Sequence, residues 1–167
     1  MSGPLTGIRV LELGSFIAGP FAGQLLGDYG AEVIKIEPPK VGDPMRKWGH
    51  CDPHGYSYWW PAIARNKHSV AVNLRSDEGR GIVRRLALQS DVVLENFTPG
   101  RLSEWQLGYN DLAPENPGLI MTHVSGFGQT GPRATDPGFG SIGEAMGGIR
   151  PTTGWPDRQS TRAGISL

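Results

Sequence analysis

Residues 11–39 read LELGSFIAGPFAGQLLGDYGAEVIKIEPP, a strand, a turn, a helix and a second strand in close succession. Upstream, Leu5–Leu13 is apolar and β-branched enough to form the first strand. The turn Gly14–Pro20 follows, and Phe21, Leu25, Leu26 and Tyr29 then recur at helical spacing. Pro20 suits the first position of that helix, Gly30 its C-terminal cap, and Glu32–Glu37 forms the second strand. Parallel sheets built from such units bind ligands beyond the carboxyl ends of their strands, where Ser15–Gly19 lies.

The same rhythm continues downstream. Pro38–Pro61 is a long loop carrying Trp48, Tyr56, Tyr58, Trp59 and Trp60, and loops of such length are usually functional. Ser69–Leu74 is expected as the third strand, and Ser76 as the cap of a helix with Asp77 and Glu78 in its first turn and Arg84 and Arg85 near its end. Asp91–Asn96, a short helix over Arg101–Leu107, Gly118–Val124 and a last helix over Ser141–Met146 complete the series. Strands alternating with helices predict an α/β fold with a doubly wound, mostly parallel, Rossmann-like sheet.

Bulk properties narrow the function. The 167 residues carry 16 basic and 16 acidic side chains, so no net charge draws the chain to nucleic acid or to membranes. A single cysteine, Cys51, excludes an internal disulfide and fits a reducing compartment. Neither a signal-peptide pattern nor an apolar run of spanning length is present, which makes the cytoplasm the expected location. Gly 25 and Pro 14 punctuate the apolar segments and are not gathered in one tract, as expected when loops carry the binding surface.

Four local patterns invite a function and mostly fail on context. Gly126–Gly131 matches G-x-G-x-x-G, but Pro132, Arg133 and Asp136-Pro137 continue it as a loop where a dinucleotide fingerprint needs a helix. Gly14–Gly19 has the spacing of a phosphate loop, yet Pro20 and Phe21 replace its Lys and Ser/Thr. His50, Cys51, Asp52 and His54 offer no second ligand pair and read as a solvated loop, so no metal is expected. No G-x-S-x-G elbow exists to anchor a hydrolase triad. Trp59 and Trp60, placed in a Pro/Gly-rich loop, lean toward a ligand surface.

Ordered blocks along the chain resemble the class III coenzyme A transferases, the group of formyl-CoA transferase, carnitine CoA-transferase and the α-methylacyl-CoA racemases. The blocks are Gly7-Ile-Arg-Val-Leu11, Ala18-Gly-Pro20, Leu26–Glu37, Gly42-Asp43, Arg65–Asn73, Asp91–Leu102 and Val124–Pro132. The resemblance implies transfer of CoA from an acyl-CoA thioester to a carboxylic acid through an aspartyl anhydride and an aspartyl-CoA thioester, with no prosthetic group. It implies CoA contacts at Ala18, at Val72, Asn73, Leu74 and Arg75, at Asn96, Phe97 and Thr98, and at Arg101 and Phe139. Ile17 and Trp59 would face the substrate. Pro38 and Ile17 depart from the residues used for oxalate and formate, and Phe139 stands where the racemases carry a catalytic His, which favours a transferase over a racemase.

By the same resemblance, residues 1–167 form the N-terminal part of a large CoA-binding α/β domain, incomplete relative to the family's full fold. The nucleophilic Asp is expected in a Gly-Asp pair just beyond Leu167, so no catalytic residue is assigned within the chain. A smaller domain and a C-terminal return segment, both needed for the family's interlocked homodimer, are expected elsewhere. The alternative reading is a non-catalytic remnant that binds CoA or a partner. The 167 residues alone are expected to be inactive and to self-associate through apolar surface and sheet edges; sedimentation showing a stable, monodisperse monomer would contradict this.

Overall fold

The computed structural model describes residues 3–163 and divides into two compact units, residues 1–124 and 125–167. The first unit holds a five-stranded sheet made of β1 (Arg9–Glu12), β2 (Glu32–Glu37), β3 (Lys67–Ala71), β4 (Val92–Glu95) and β5 (Ile120–His123). Every pairing is parallel and the spatial order is β3-β2-β1-β4-β5. This is the expected α/β architecture. Leu5–Ile8, read as part of the first strand, instead forms turns, and the strand begins at Arg9.

The inner strands β2, β1 and β4 are largely buried, as parallel strands usually are, whereas the edge strands β3 and β5 are partly exposed. One apolar cluster gathers Leu11, Ile36, Val83, Val93, Leu102, Leu107, Leu112 and Leu119; a second, smaller one gathers Val10, Ala31, Val33 and Leu94. Consecutive residues Val10 and Leu11 therefore serve opposite faces, which is the period of two expected for a strand.

Helix α1 (Ala18–Asp28) packs on this sheet in a way its sequence disguised. Its buried residues are Gly19, Pro20, Gly23 and Gln24, whereas Phe21, Leu25 and Tyr29 are exposed. The physical reason is close approach: a Cβ at Gly23 would overlap Glu12 Oε2. Gly30, at φ 100°, ends the helix in the left-handed conformation that glycine tolerates best. Pro20 is the third helical residue, still within the first turn, where its missing N–H costs no hydrogen bond.

The loop after β2 contains more structure than expected. A 3-10 turn covers Pro44–Lys47, and α2 (Trp59–Ala64) begins at Trp59, so that residue stands on a helix end and not in an irregular loop. The third strand starts two residues earlier than read and ends at Ala71, which leaves residues 72–75 in the connection to α3 (Asp77–Ala87). Ser76 caps α3 as expected, its Oγ accepting the Gly79 N–H at 3.1 Å. Arg101–Glu104 forms α4, and Tyr109–Leu112 forms a further short helix, α5, absent from the sequence reading. The Asp111 carboxylate tightens that last turn by accepting the Gly108 N–H at 2.9 Å.

In the second unit, α6 (Gly140–Met146) runs close to the expected span. Gly126 and Gly138 lie back to back, and a Cβ on either would overlap the other's backbone. Glu144 is buried within this unit, 3.6 Å from Arg162 and 3.8 Å from Arg150. The segment expected to lead to the nucleophile continues through residues 164–167, which lie outside the described residues. Among the described residues no helix is long and apolar enough to cross a membrane.

Burial separates the strands' contributions. Leu11, fully buried in the central strand, is expected to cost about 2–5 kcal/mol on truncation to Ala. Ile120, 60% exposed on the sheet edge, should cost no more than about 0.5 kcal/mol under the same change. Urea unfolding of the two variants measures the contrast, and equal losses would contradict the assigned burial.

Candidate functional site

Strand order reverses between β1 and β4, so the connections leaving these neighbours diverge to opposite sides, and their carboxyl ends are where sheets of this kind receive ligands. The turn 14–20 leaves β1 on one side, and residues 96–100 leave β4 on the other. Asn96 bridges them: its Oδ1 accepts the Ser15 N–H at 2.8 Å and its Nδ2 donates to the Ser15 carbonyl at 3.0 Å. Gly14 and Gly19 make room for that side chain, since a Cβ would lie 2.5 Å and 3.0 Å from Asn96 Oδ1, respectively. A family block that reads only as Glu-Asn-Phe in sequence therefore fastens the two loops of the switch point together.

The rest of the turn is held from below. Lys35 Nζ donates to the Gly14 carbonyl at 2.9 Å, and Lys67 Nζ to the Pro20 carbonyl at 2.5 Å. Asp43 Oδ1 accepts the Phe16 N–H at 3.1 Å. Phe16 has φ 62°, a left-handed conformation that bulky side chains avoid. The two ammonium groups are themselves paired with buried carboxylates: Lys35 with Glu12 at 2.9 Å and Asp43 at 2.8 Å, Lys67 with Glu12 at 2.7 Å. Burial pulls the Lys67 ammonium below its ordinary pKa, partly offset by the Glu12 carboxylate.

A second pinned element carries the aromatic residues. Glu37 at the end of β2 accepts both the Arg46 Nε at 2.7 Å and the Arg46 Nη2 at 2.9 Å, the two-pronged geometry that makes guanidinium–carboxylate pairs specific. Ser69 Oγ and the Asp43 N–H also donate to this carboxylate, at 2.5 Å and 2.8 Å. The Arg46 guanidinium lies 4.0 Å from the Trp60 ring centroid. With the loop fixed at Arg46, Trp48 stands edge-on to Phe16 at 6.4 Å and tilted against Trp59 at 6.2 Å. Phe16, Trp48 and Trp59 thus form an aromatic row, each partly exposed, running from the turn after β1 to the start of α2.

The predicted site residues lie on several elements of the fold. Ile17 ends the turn after β1 and Ala18 opens α1, Val72, Asn73, Leu74 and Arg75 follow β3, and Asn96, Phe97 and Thr98 follow β4. Because the strands are all parallel, these segments share one edge of the sheet. Arg101 opens α4, pairs with Glu104 at 2.7 Å and lies 5.7 Å from the Trp105 ring. Phe97 packs edge-on to Trp105 at 5.4 Å. Trp59 joins the aromatic row. Phe139 belongs to the second unit, where it precedes α6 and is 74% exposed. His50, Cys51, Asp52 and His54 do not converge, and no metal-holding group of His, Cys, Asp and Glu exists among the described residues.

Sequence reasoning missed three features of this edge. Phe16 and Trp48 extend the aromatic row beyond Trp59. His123 Nδ1, at the end of β5, meets Glu95 Oε1 at the end of β4 at 2.5 Å, while Glu95 Oε2 accepts the Phe97 N–H. Glu12, Lys35, Asp43 and Lys67 were seen only as members of strands and blocks. Their signal was present: charges inside a strand otherwise read as buried, such as Lys35 in Val-Ile-Lys-Ile, demand partners.

Comparison with known proteins assigns the family. Residues 5–167 match the model of CoA-transferase family III, and the chain belongs to that family. Over 164 residues it is 62% identical to the succinyl-CoA–D-citramalate CoA-transferase of Chloroflexus aurantiacus, covering 98% of this chain and 41% of that protein. It is 43% identical over 164 residues to the mouse succinyl-CoA:glutarate CoA-transferase, covering 98% and 38%. A solved CAIB/BAIF family protein from Brucella suis superposes with a TM-score of 0.91 at 43% identity, over 99% of this chain and 44% of that one. The chain thus spans about two fifths of the length of the curated relatives it matches.

The Glu37–Arg46 contact yields a pH prediction. Burial pushes the Glu37 carboxyl up, but Arg46, Ser69 and the Asp43 N–H outweigh it and hold the pKa at about 2, against an ordinary 4.5. A depressed carboxyl pKa contributes stability above its unfolded value and loses it as pH falls through the folded one. Unfolding free energy should therefore decline between pH 4.5 and about 2. Arg46→Met should flatten part of that decline, Asp28, also held at about 2 by Arg65, Gln24 and Asn66, supplying another part. An unchanged slope in urea titrations would contradict the role given to Arg46.

Proposed function

We propose that this chain is the N-terminal, CoA-binding part of a class III CoA-transferase that moves CoA from succinyl-CoA to a small dicarboxylic acid. The observation that carries the reading is the match over residues 5–167 to CoA-transferase family III, joined to relatives whose names share succinyl-CoA as donor. The β1/β4 reversal supports it, because an extended ligand laid across the strand ends meets loops from three strands at once.

The proposed chemistry is balanced and needs no redox partner. An Asp carboxylate beyond Leu167 attacks the succinyl thioester carbonyl, the C–S bond breaks, and CoA thiolate leaves a mixed aspartyl-succinyl anhydride. The thiolate then attacks the aspartyl carbonyl, forming an aspartyl-CoA thioester and releasing succinate. Attack by the acceptor carboxylate repeats the sequence in reverse and returns free Asp with a new acyl-CoA. Exclusion of water protects the anhydride, and N–H donors stabilise each tetrahedral oxyanion.

Within this scheme the backbone of Ala18, residues 72–75 and residues 96–98 contacts CoA, and Phe139 adds an apolar contact. Arg75 and Arg101 attract the phosphates. Ile17 and Trp59, continued by Phe16 and Trp48, shape the acyl site. The full-length polypeptide assembles as an interlocked homodimer, and the lone exposed Cys51 suits a reducing cytoplasm.

The test incubates the full-length polypeptide with succinyl-CoA and, in turn, citramalate, malate and glutarate, following thioesters by mass spectrometry with hydroxylamine as a trap for acyl intermediates. The expected outcome is a new acyl-CoA with one acceptor and a hydroxamate on the polypeptide. Binding of CoA without turnover toward any acid would instead support a non-catalytic remnant. Arg75→Gln and Arg101→Gln are each expected to raise KM for the thioester about tenfold with kcat nearly unchanged; unaltered KM values would remove them from the phosphate contacts.

A further inference from the structure

Four ionisable side chains lie together beneath the turn after β1. The side chains of Glu12, Lys35, Asp43 and Lys67 are each no more than 2% exposed. Two ammonium groups balance two carboxylates. Burying such a set is costly, and apolar side chains of similar volume often serve stability as well or better. What the cluster does beyond filling space is therefore visible in where its remaining hydrogen bonds go.

Apart from the Met45 N–H, which donates to Asp43 Oδ1 at 2.8 Å, they go to the turn. Lys35 holds the Gly14 carbonyl, Lys67 the Pro20 carbonyl, and Asp43 the Phe16 N–H. Asn96 adds the Ser15 N–H and carbonyl. The backbone between residues 14 and 20 is thus gripped by side chains from β2, β3, the start of the β2–α2 loop and the end of β4. Phe16 is kept at φ 62° inside this grip. Backbone held in a sparsely populated conformation by its surroundings is typical of pre-organised sites.

We propose that the Glu12–Lys35–Asp43–Lys67 cluster is a positioning device, with Lys35 at its centre, that fixes the turn 14–20 in its strained shape before the coenzyme thioester arrives. This inference rests on the CoA-transferase reading and deepens it by assigning roles to residues that do not touch substrate. Ile17 and Ala18 ride on the turn, so a shift of about 1 Å at Gly14 displaces both and costs on the order of 100-fold in rate. Lys35 acts through the Gly14 carbonyl and is a positioning residue.

The deciding variant combines Lys35→Met with Asp43→Asn in the full-length polypeptide. One charge of each sign is removed, so the cluster stays neutral, and the amide oxygen at position 43 still accepts from Phe16 and Met45. Steady-state kinetics with succinyl-CoA are measured below the melting temperature read by circular dichroism. The expected result is a fall in kcat of about 100-fold in a folded protein, with KM for the thioester changed far less. Activity within about twofold of the unaltered protein, accompanied only by a lower melting temperature, would show that the cluster is merely structural and overturn the proposal.

Hydrogen exchange on the unaltered polypeptide gives a second, independent reading that holds even if the variant does not fold. The amides of Ser15 and Phe16 should exchange as slowly as those of Val10 and Leu11 in β1, although they lie in a turn. Exchange at the rate of an open loop would overturn the proposal. Absence of any turnover by the unaltered polypeptide would refute the transferase reading instead, and exchange would still report on the turn.

Discussion

Lys35 is the point on which the carboxyl edge of the sheet depends. Its ammonium touches Glu12 on β1, Asp43 in the loop after β2 and the Gly14 carbonyl, and it is 1% exposed. An uncompensated charge at that depth would be strongly destabilising, so each partner has to arrive in register. The register Glu12↔Lys35 places the two side chains in adjacent strands at the same level, and Lys35↔Ser69 brings β3 alongside. Gly23 follows from the same demand, since the helix can cross Glu12 only where no Cβ intervenes. The small-residue face of α1 is thus an electrostatic consequence before it is a packing one.

The loop between β2 and α2 obeys a related logic. Glu37 fixes Arg46 with two parallel hydrogen bonds, Arg46 covers Trp60, and Asp43 links this arrangement to Lys35. A segment of more than twenty residues with little regular structure would ordinarily wander. Here Asp43 and Arg46 tie the first half of the segment to the sheet by charge, which lets Trp48 stand in a row with Phe16 and with Trp59 at the start of α2. Polar chemistry supplies the placement and the rings supply the surface.

Much of the fold was legible because local signals agreed with one another. Gly30 stops α1, Ser76 starts α3, and the apolar runs within residues 5–13, 32–37 and 91–96 each hold a strand. The third strand was misplaced because Lys67 and His68 look like loop residues, whereas Lys67 is a strand residue whose ammonium is buried against Glu12. Hydrophobic spacing located α1 but left open which of its faces meets the sheet, because it reports only which residues share a face. Of the candidate site, the turn after β1 was read from topology, and residues 72–75 and 96–98 came from the family resemblance. The charge cluster was not legible, because pairings among positions 12, 35, 43 and 67 exist only after the sheet has formed.

That separation along the chain bears on how the protein acquires its shape. The turn after β1 is short and local, yet its final geometry is set by groups contributed from as far away as Asn96. Closing such long loops is entropically slow, and no contact among neighbours rewards the strained backbone at Phe16 in the meantime. The turn therefore reaches its final geometry among the last events of folding, after β1 to β4 have aligned. A nascent or partly folded chain would carry every residue of the turn and its anchors and still lack the turn's geometry, which exists only in molecules whose sheet is complete.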